Sequence, residues 1–199
     1  TAPDPLADES LPRYARITGV AMLLSVVFGA IGEAYVPGLI IASGDAAATA
    51  ANIVNHPTLF RLGFASYLVE GICDIALCLL FYVLLRPVNR NLALLSAFFG
   101  IAAMVTFAVA ESAYFASSLV VRDTAGMEAF TSDQRNALAL LSLRLSGMVA
   151  VLFLALYGIA TMIRGYLIMH SSYFPRIFGV LFIIGGAGFF LRTVTYLLA

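Results

Sequence analysis

The sequence predicts an all-α integral membrane protein, a bundle of five transmembrane helices with a short interfacial helix between the first two. The chain has 199 residues, of which 62% are hydrophobic and 11% charged, and its mean hydropathy is +0.99. Soluble domains contain about 25% charged residues, so this composition indicates a protein surrounded by lipid. Five apolar segments reach the ~20 residues that a bilayer-spanning helix requires. Helices are expected because open strands and coil leave backbone polar groups unsatisfied in lipid.

The chain divides into a polar N-terminal tail, residues 1–12, and a single transmembrane helical domain, residues 13–199. The tail contains three prolines and three acidic residues: Pro3, Asp4, Pro5, Asp8, Glu9 and Pro12. A signal peptide has the opposite character, a basic start followed by an apolar run. We therefore expect a short polar extension before the first span.

The five predicted spans are separated by polar or proline-containing connections. An extension of the first span past Pro37 to Ala42 is left open. Pro175 begins the last helix, where its missing N–H is harmless. The predicted spans are 17–36, 59–85, 92–121, 136–169 and 177–198.

A short helix is predicted in the connection between the first two spans. Asp45 is a suitable N-cap for a helix over residues 46–54, because its carboxylate can accept from a free backbone N–H. His56 and Pro57 interrupt that helix. We expect it to lie at the membrane interface.

Arginine asymmetry predicts the orientation, because cytoplasmic loops are enriched in basic residues. All 11 basic residues are arginine. With the N-terminus in the cytoplasm and the C-terminus outside, six arginines flank the spans on the inner side and three on the outer side. The inner set is Arg13, Arg16, Arg86, Arg90, Arg164 and Arg176, and the outer set is Arg61, Arg122 and Arg135.

Six further charged residues lie within the predicted spans and are the candidate site residues. An ionised side chain at the centre of a bilayer costs ~2.5–3.5 kcal/mol, so each requires a partner, water or neutralisation. The predicted topology places all six at a similar level in the outer half of the membrane, facing the bundle interior. They are Glu33, Glu70, Asp74, Glu111, Arg144 and Arg192.

The charge balance of this predicted cluster is acidic. Four carboxylates against two arginines leave an excess of two negative charges if all are ionised. Protonation, bound water or a cationic ligand would each offset it. Glu70 and Asp74, four residues apart on one helix face, are the pair expected to share a proton. A purely structural alternative is that Arg–carboxylate pairs fix helix packing.

Other classes of function lack support in the sequence. The formal net charge is zero, which does not indicate a nucleic-acid partner. Cys73 and Cys78 are five residues apart on one helix and cannot form an unstrained disulfide. His56 and His170 fall on opposite sides of the membrane in the predicted topology, so they cannot share a metal or haem. We find no nucleotide-binding or hydrolase motif, and no cofactor is predicted.

Four runs of residues resemble a known family. They are GDAAATAANIV (44–54), LFRLGF (59–64), CDIALCLLFYVLLRPVNRNLALLSAFF (73–99) and GYLIMHSSYFPRIFGVL (165–181). They are similar to the domain-of-unknown-function 4386 family of bacterial multi-pass membrane proteins, for which no activity is established. The resemblance implies a protein of the bacterial cytoplasmic (inner) membrane and marks Asp74 as a recurrent feature.

The fourth helix departs from that family pattern. Members often carry histidine there, whereas this chain has Ser142, Arg144 and Ser146. The departure argues against a histidine-ligated metal or haem in this protein.

Three hypotheses for function follow. In the first, the protein binds a small polar, cationic or amphipathic ligand in an acidic intramembrane pocket, and its partners are that ligand and the lipid bilayer. In the second, it is an accessory structural subunit that packs against other membrane subunits. The third hypothesis, an intramembrane enzyme, lacks an identifiable nucleophile, metal or cofactor motif.

Overall fold

The fold is described by a computed structural model for residues 11–122, 127, 129–172 and 174–198. Every regular element within these ranges is a helix, which confirms the predicted all-α class. Five of the helical segments are long and apolar enough to cross a membrane, as the sequence predicted. The helices are α1 (Leu11–Gly29), a π-helical turn (Ala30–Tyr35), α2 (Val36–Ile40), α3 (Ala46–Asn55), α4 (Pro57–Leu85), α5 (Arg90–Val121), α6 (Ser132–Met169) and α7 (Arg176–Leu198).

The first membrane-length segment is longer than predicted and is not a regular α-helix throughout. It begins at Leu11, inside the predicted tail, and continues through the π-helical turn to Ile40. Pro37 lies within this segment. Proline lacks an N–H, and in a regular helix the ring of Pro37 would crowd the carbonyl group of Glu33, four residues earlier. The wider turn lies at that point, and the backbone N–H of Val36 donates to the carbonyl of Ile31, five residues back.

The short helix α3 has the predicted cap. An Asp45 carboxylate oxygen accepts from the backbone N–H of Ala48 at 2.9 Å, satisfying one of the unbonded donors in the first turn. The helix is one residue longer than predicted, and Pro57 starts α4 two residues before the predicted span. The interfacial location of α3 stays a prediction.

The helices form two compact units. The first unit comprises the described parts of Thr1–Ser25, Ile72–Val105 and Val151–Ala199. Its α6 and α7 approach at paired glycines, since a Cβ at Gly165 would lie 2.6 Å from the carbonyl oxygen of Gly179, and one at Gly158 would lie 2.7 Å from that of Gly186. Small residues at such positions let helix backbones touch.

The second unit comprises Val26–Gly71 and Thr106–Ala150. Glycines again allow close helix packing, because a Cβ at Gly63 would lie 2.8 Å from Val36 and one at Gly32 would lie 3.1 Å from the Tyr67 ring. Beside this contact, aromatic rings of α4 and α5 pack together: Phe60, Phe64, Tyr67, Phe107, Tyr114 and Phe115.

Candidate functional site

The six predicted site residues are distributed over both units. Asp74 and Arg192 belong to the first unit, and Glu33, Glu70, Glu111 and Arg144 belong to the second. Asp74 is buried, Glu70 and Glu111 are partly buried, and Glu33 is exposed. Arg144 and Arg192 are exposed, which differs from the interior position expected for them. A binding role for these residues stays a prediction.

Three of the predicted carboxylates gather around two tyrosines in the second unit. We call this group the acidic–aromatic cluster; it consists of Glu33, Tyr67, Glu70, Glu111 and Tyr114. Tyr67 interacts electrostatically with all three carboxylates and with Tyr114. Glu111 interacts with Glu33 in the same way, and Tyr114 interacts with Glu111. The cluster therefore concentrates acidic groups within apolar helices.

Helix geometry explains how these side chains meet. Tyr67 and Glu70 are three residues apart on α4, and Glu111 and Tyr114 are three residues apart on α5, so each pair shares a helix face. Glu33 lies on the π-helical turn of the first span. The spacing thus directs the polar groups of three segments toward one region of the second unit.

Two buried polar atoms of the cluster have no hydrogen-bond partner among the described residues. Tyr114 is only 4% exposed. Within the described residues, neither its hydroxyl nor Oε2 of Glu111 is hydrogen-bonded, although both atoms are buried. Buried polar atoms are bonded in more than about 90% of cases, so these two open atoms on one helix face call for a water, an ion or a ligand.

The tyrosine rings pack against other aromatic rings. Phe60 stacks on Tyr114 with a centroid distance of 4.9 Å and an interplanar angle of 5°. Tyr67 lies nearly perpendicular to Tyr114, at 5.6 Å and 74°, and also nearly perpendicular to Phe107, at 5.8 Å and 72°. These ring contacts fix the orientation of the Tyr67 and Tyr114 side chains.

A glycine on the first span makes room for the Glu70 carboxyl group. A Cβ at Gly29 would lie 2.6 Å from Oε1 of Glu70. Any larger residue at this position would displace the carboxyl group. The glycine therefore contributes to the position of one acidic member of the cluster.

Asp74 belongs to a different, internally bonded network in the first unit. The Ser25 hydroxyl donates to Oδ1 of Asp74 at 2.7 Å. Tyr157 is hydrogen-bonded to the same carboxyl group, and Arg164 is close enough for a favourable charge interaction. Asp74 therefore has partners that satisfy a buried carboxylate, and its proposed sharing of a proton with Glu70 stays a prediction.

Arg164 is the functional candidate that sequence reasoning missed. The sequence places it on the inner flank of the fourth span, yet it is only 2% exposed. Its Nε donates to the Ser96 hydroxyl at 3.2 Å, and its Nη2 donates to Sγ of Cys78 at 3.3 Å. Its Cζ lies 5.2 Å from the centroid of the Phe81 ring. Arg164 thus supplies the positive charge of the buried network.

A signal for that position was present in the sequence. Tyr157, Ala160, Arg164 and Leu167 recur at three- and four-residue intervals, the period of one helix face. Ala160, Arg164 and Leu167 are all buried. Arg164 also lies only five residues before the end of α6 at Met169. The same sequence is therefore equally compatible with an arginine at the cytoplasmic edge of the membrane.

The cysteines and histidines make local contacts within the described residues. Neither Cys73 nor Cys78 is part of a disulfide, and Sγ of Cys78 accepts a hydrogen bond from Arg164. Nδ1 of His56 lies 3.2 Å from the carbonyl oxygen of Asn52, and Nδ1 of His170 lies 2.9 Å from that of Tyr166. In the part of the chain that the structure describes, no group of three His, Cys, Asp or Glu side chains has the spacing of a metal site.

These features define the class as a helical protein with five membrane-length apolar helices and buried polar clusters. The particular family follows from the sequence: residues 17–199 match the model of the family described as Domain of unknown function (DUF4386). The chain belongs to this family, as its resemblance implied. Comparison with curated proteins and with solved structures found no match.

Proposed function

We propose that this protein is a bacterial inner-membrane protein that binds a small amphipathic organic cation at the acidic–aromatic cluster. The observation that supports this most directly is the pair of buried atoms, Glu111 Oε2 and the Tyr114 hydroxyl oxygen, without hydrogen-bond partners in the described residues. A bound ligand that occupies this position would satisfy both atoms.

The charge of the cluster favours a cation. The groups that act electrostatically on Tyr67 are three glutamates and a tyrosine. Ionised carboxylates in an apolar environment are costly unless an opposite charge is near. A cationic group among Glu33, Glu70 and Glu111 would therefore be held by Coulomb attraction strengthened by the low local dielectric.

The gradient of exposure within the cluster favours an amphipathic molecule. Glu33 is exposed, Glu70 and Glu111 are partly buried, and Tyr114 is buried. The acidic groups thus lead from the surface of the second unit toward its aromatic interior. A ligand with one charged end and an apolar body would match both the carboxylates and the surrounding rings.

An organic cation fits the spacing of the carboxylates better than a bare metal ion. Direct metal coordination requires ligand oxygens converging at about 2.0–2.6 Å from one centre. Across the described ranges, no three potential ligands are arranged in this way. A cationic group that uses hydrogen bonds reaches acceptors over longer distances, about 2.7–3.2 Å each.

The proposed orientation places the N-terminus in the cytoplasm and the C-terminus outside. Because Arg164 is buried, it leaves the inner arginine set, and the remaining balance of five against three still favours this orientation. The accessory-subunit and intramembrane-enzyme hypotheses stay predictions. They become the leading alternatives if no cation binds.

Binding of hexylammonium tests the proposal directly. Isothermal titration of the purified chain in a mild detergent is expected to give saturable binding of hexylammonium near one per chain. Hexanol has the same apolar body without the charge, and hexanoate reverses the charge, so both are expected to bind at least about tenfold more weakly. Equal binding of all three compounds would indicate detergent-like association and would contradict the proposal.

A further inference from the structure

Resting on the proposed function, we infer that the site selects an ammonium group that carries N–H donors and rejects a fully methylated one. The structure offers the cationic group two hydrogen-bond acceptors, Glu111 Oε2 and the Tyr114 hydroxyl oxygen, rather than the open aromatic faces that hold quaternary ammonium groups. The ligand class is therefore a primary or secondary amine in its protonated form.

The aromatic rings of the cluster pack against one another. Aromatic recognition of quaternary ammonium requires ring faces directed at the cation. Here one face of Tyr114 is covered by Phe60, stacked at 4.9 Å with an interplanar angle of 5°. Tyr67 is engaged edge-to-face with both Tyr114 and Phe107. The rings pack on one another instead of surrounding a central cation.

Two polar atoms next to the rings accept no hydrogen bond within the described residues. Tyr114 is 4% exposed, and its hydroxyl oxygen and Glu111 Oε2 are buried without hydrogen-bond partners in the described part of the chain. An ionised carboxylate only accepts hydrogen bonds, and a phenolic oxygen can accept one. A group that donates to both atoms satisfies an ionised Glu111 carboxylate and the acceptor side of the Tyr114 hydroxyl, and a protonated primary amine offers three N–H donors. A trimethylated ammonium offers none.

One ligand group can contact both Glu111 and Tyr114. Glu111 and Tyr114 are three residues apart on α5 and share one face within a single helical turn. Tyr114 and Glu111 also interact electrostatically, so their polar ends lie near each other. One ammonium group between them can donate to both atoms, and Glu33, which interacts with Glu111, adds a further negative charge at the exposed side.

N-methylation of the ligand should change its affinity in the opposite direction from that expected for hydrophobic binding. Each added N-methyl group removes one donor but adds apolar surface. If apolar contact governed affinity, methylation would strengthen binding. Because charge-assisted hydrogen bonds govern it here, methylation weakens binding, and complete methylation is expected to lower affinity by about tenfold or more.

The experiment is a titration of the purified full chain with four related cations. They are hexylammonium and its N-methyl, N,N-dimethyl and N,N,N-trimethyl derivatives, all bearing one positive charge. Affinity is expected to fall along this series. In Tyr114→Phe, which removes one acceptor and keeps the ring, the ratio between the first and last members is expected to shrink by several-fold. Tyr196→Phe, which alters an exposed tyrosine on α7, is the matched control and is expected to retain the ratio.

Each outcome decides between the inference and the function on which it rests. Equal affinity along the series, or an increase with methylation, overturns the inference while the proposed cation binding stands. Absence of binding by all four compounds overturns the proposed function itself. An unchanged ratio in Tyr114→Phe also overturns the inference. Because the ligand series is measured on the unaltered chain, its result does not depend on whether a variant folds.

Discussion

The guanidinium group of Arg164 lies directly against the backbone of Gly100: a Cβ built at Gly100 would be 2.6 Å from Nη2 of Arg164. The same Cβ would lie 2.5 Å from Sγ of Cys78, which accepts a hydrogen bond from Arg164. Glycine at this position of α5 therefore gives the buried arginine the space in which it reaches its partners.

Replacing that glycine should disturb the network. We expect Gly100→Ala to lower the free energy of unfolding by ~1–3 kcal/mol, because the added methyl group forces Arg164 or Cys78 to move within a packed interior. Gly185→Ala is the matched control, since no atom lies within 4 Å of a Cβ at that position on α7. Denaturant unfolding in detergent micelles measures both. Equal stability of the two variants would contradict this role for Gly100.

The Asp74–Arg164 charge interaction predicts coupled effects of substitution. Removing one of two interacting buried charges leaves the other less well compensated. We expect Asp74→Asn and Arg164→Gln each to destabilise the first unit strongly. The double variant should be less destabilised than the sum of the two, by ~0.5–3 kcal/mol.

A double-mutant cycle in the same unfolding assay measures this coupling. Asp133→Asn, a substitution of an exposed acid on α6, serves as the control paired with Arg164→Gln and should show no coupling. Strict additivity of Asp74→Asn and Arg164→Gln would mean that the two groups act independently.

Gly29 offers a way to move one carboxylate without deleting it. In Gly29→Ala, the new methyl group would meet Oε1 of Glu70, the end of a flexible side chain, so the carboxyl group should shift and stability should change little. Affinity for hexylammonium should fall by about three- to tenfold, because attraction to a charge weakens with distance.

The matched control for Gly29 is Gly147→Ala, since no atom lies within 4 Å of a Cβ at that position in the second unit. Calorimetric titration of both variants separates a local shift from a general effect of adding alanine. If Gly29→Ala bound as tightly as the unaltered chain, Glu70 would have no part in the site.

Much of the fold could be predicted because composition and local chemistry determine it. Long apolar segments identify five membrane-length helices, and the Asp45 side chain identifies the start of α3. Boundaries were less accurate where polar residues continue a helix. The first turn of α6, from Ser132, and the start of α1, at Leu11, both lie outside the apolar core of their segments.

The candidate site could be predicted only in part, because its arrangement depends on tertiary packing. The sequence identified Glu33, Glu70 and Glu111 as unusual acids in apolar helices, and the structure brings these three together around tyrosines. The sequence did not show that Asp74 belongs to a hydrogen-bonded network with Arg164. The helical period is compatible with Asp74 in that network and equally with Asp74 beside Glu70.

The open atoms beside Tyr114 could not be predicted from the sequence either. Helical spacing identifies Tyr114 only as a neighbour of Glu111 on one helix face. Its lack of a hydrogen-bond partner in the described residues depends on how Phe60 and Tyr67 pack around it. The spacing of residues along α5 does not show whether a residue on another helix forms a hydrogen bond with the Tyr114 hydroxyl.

The most direct test of the central claim is the affinity of Glu111→Gln for hexylammonium, measured by calorimetric titration beside the unaltered chain and Asp133→Asn. The glutamine keeps the size of the side chain and removes its negative charge, so we expect at least about tenfold weaker binding. Asp133→Asn makes the same type of exchange at an exposed acid and should bind normally. Unchanged affinity in Glu111→Gln would contradict cation binding at the acidic–aromatic cluster.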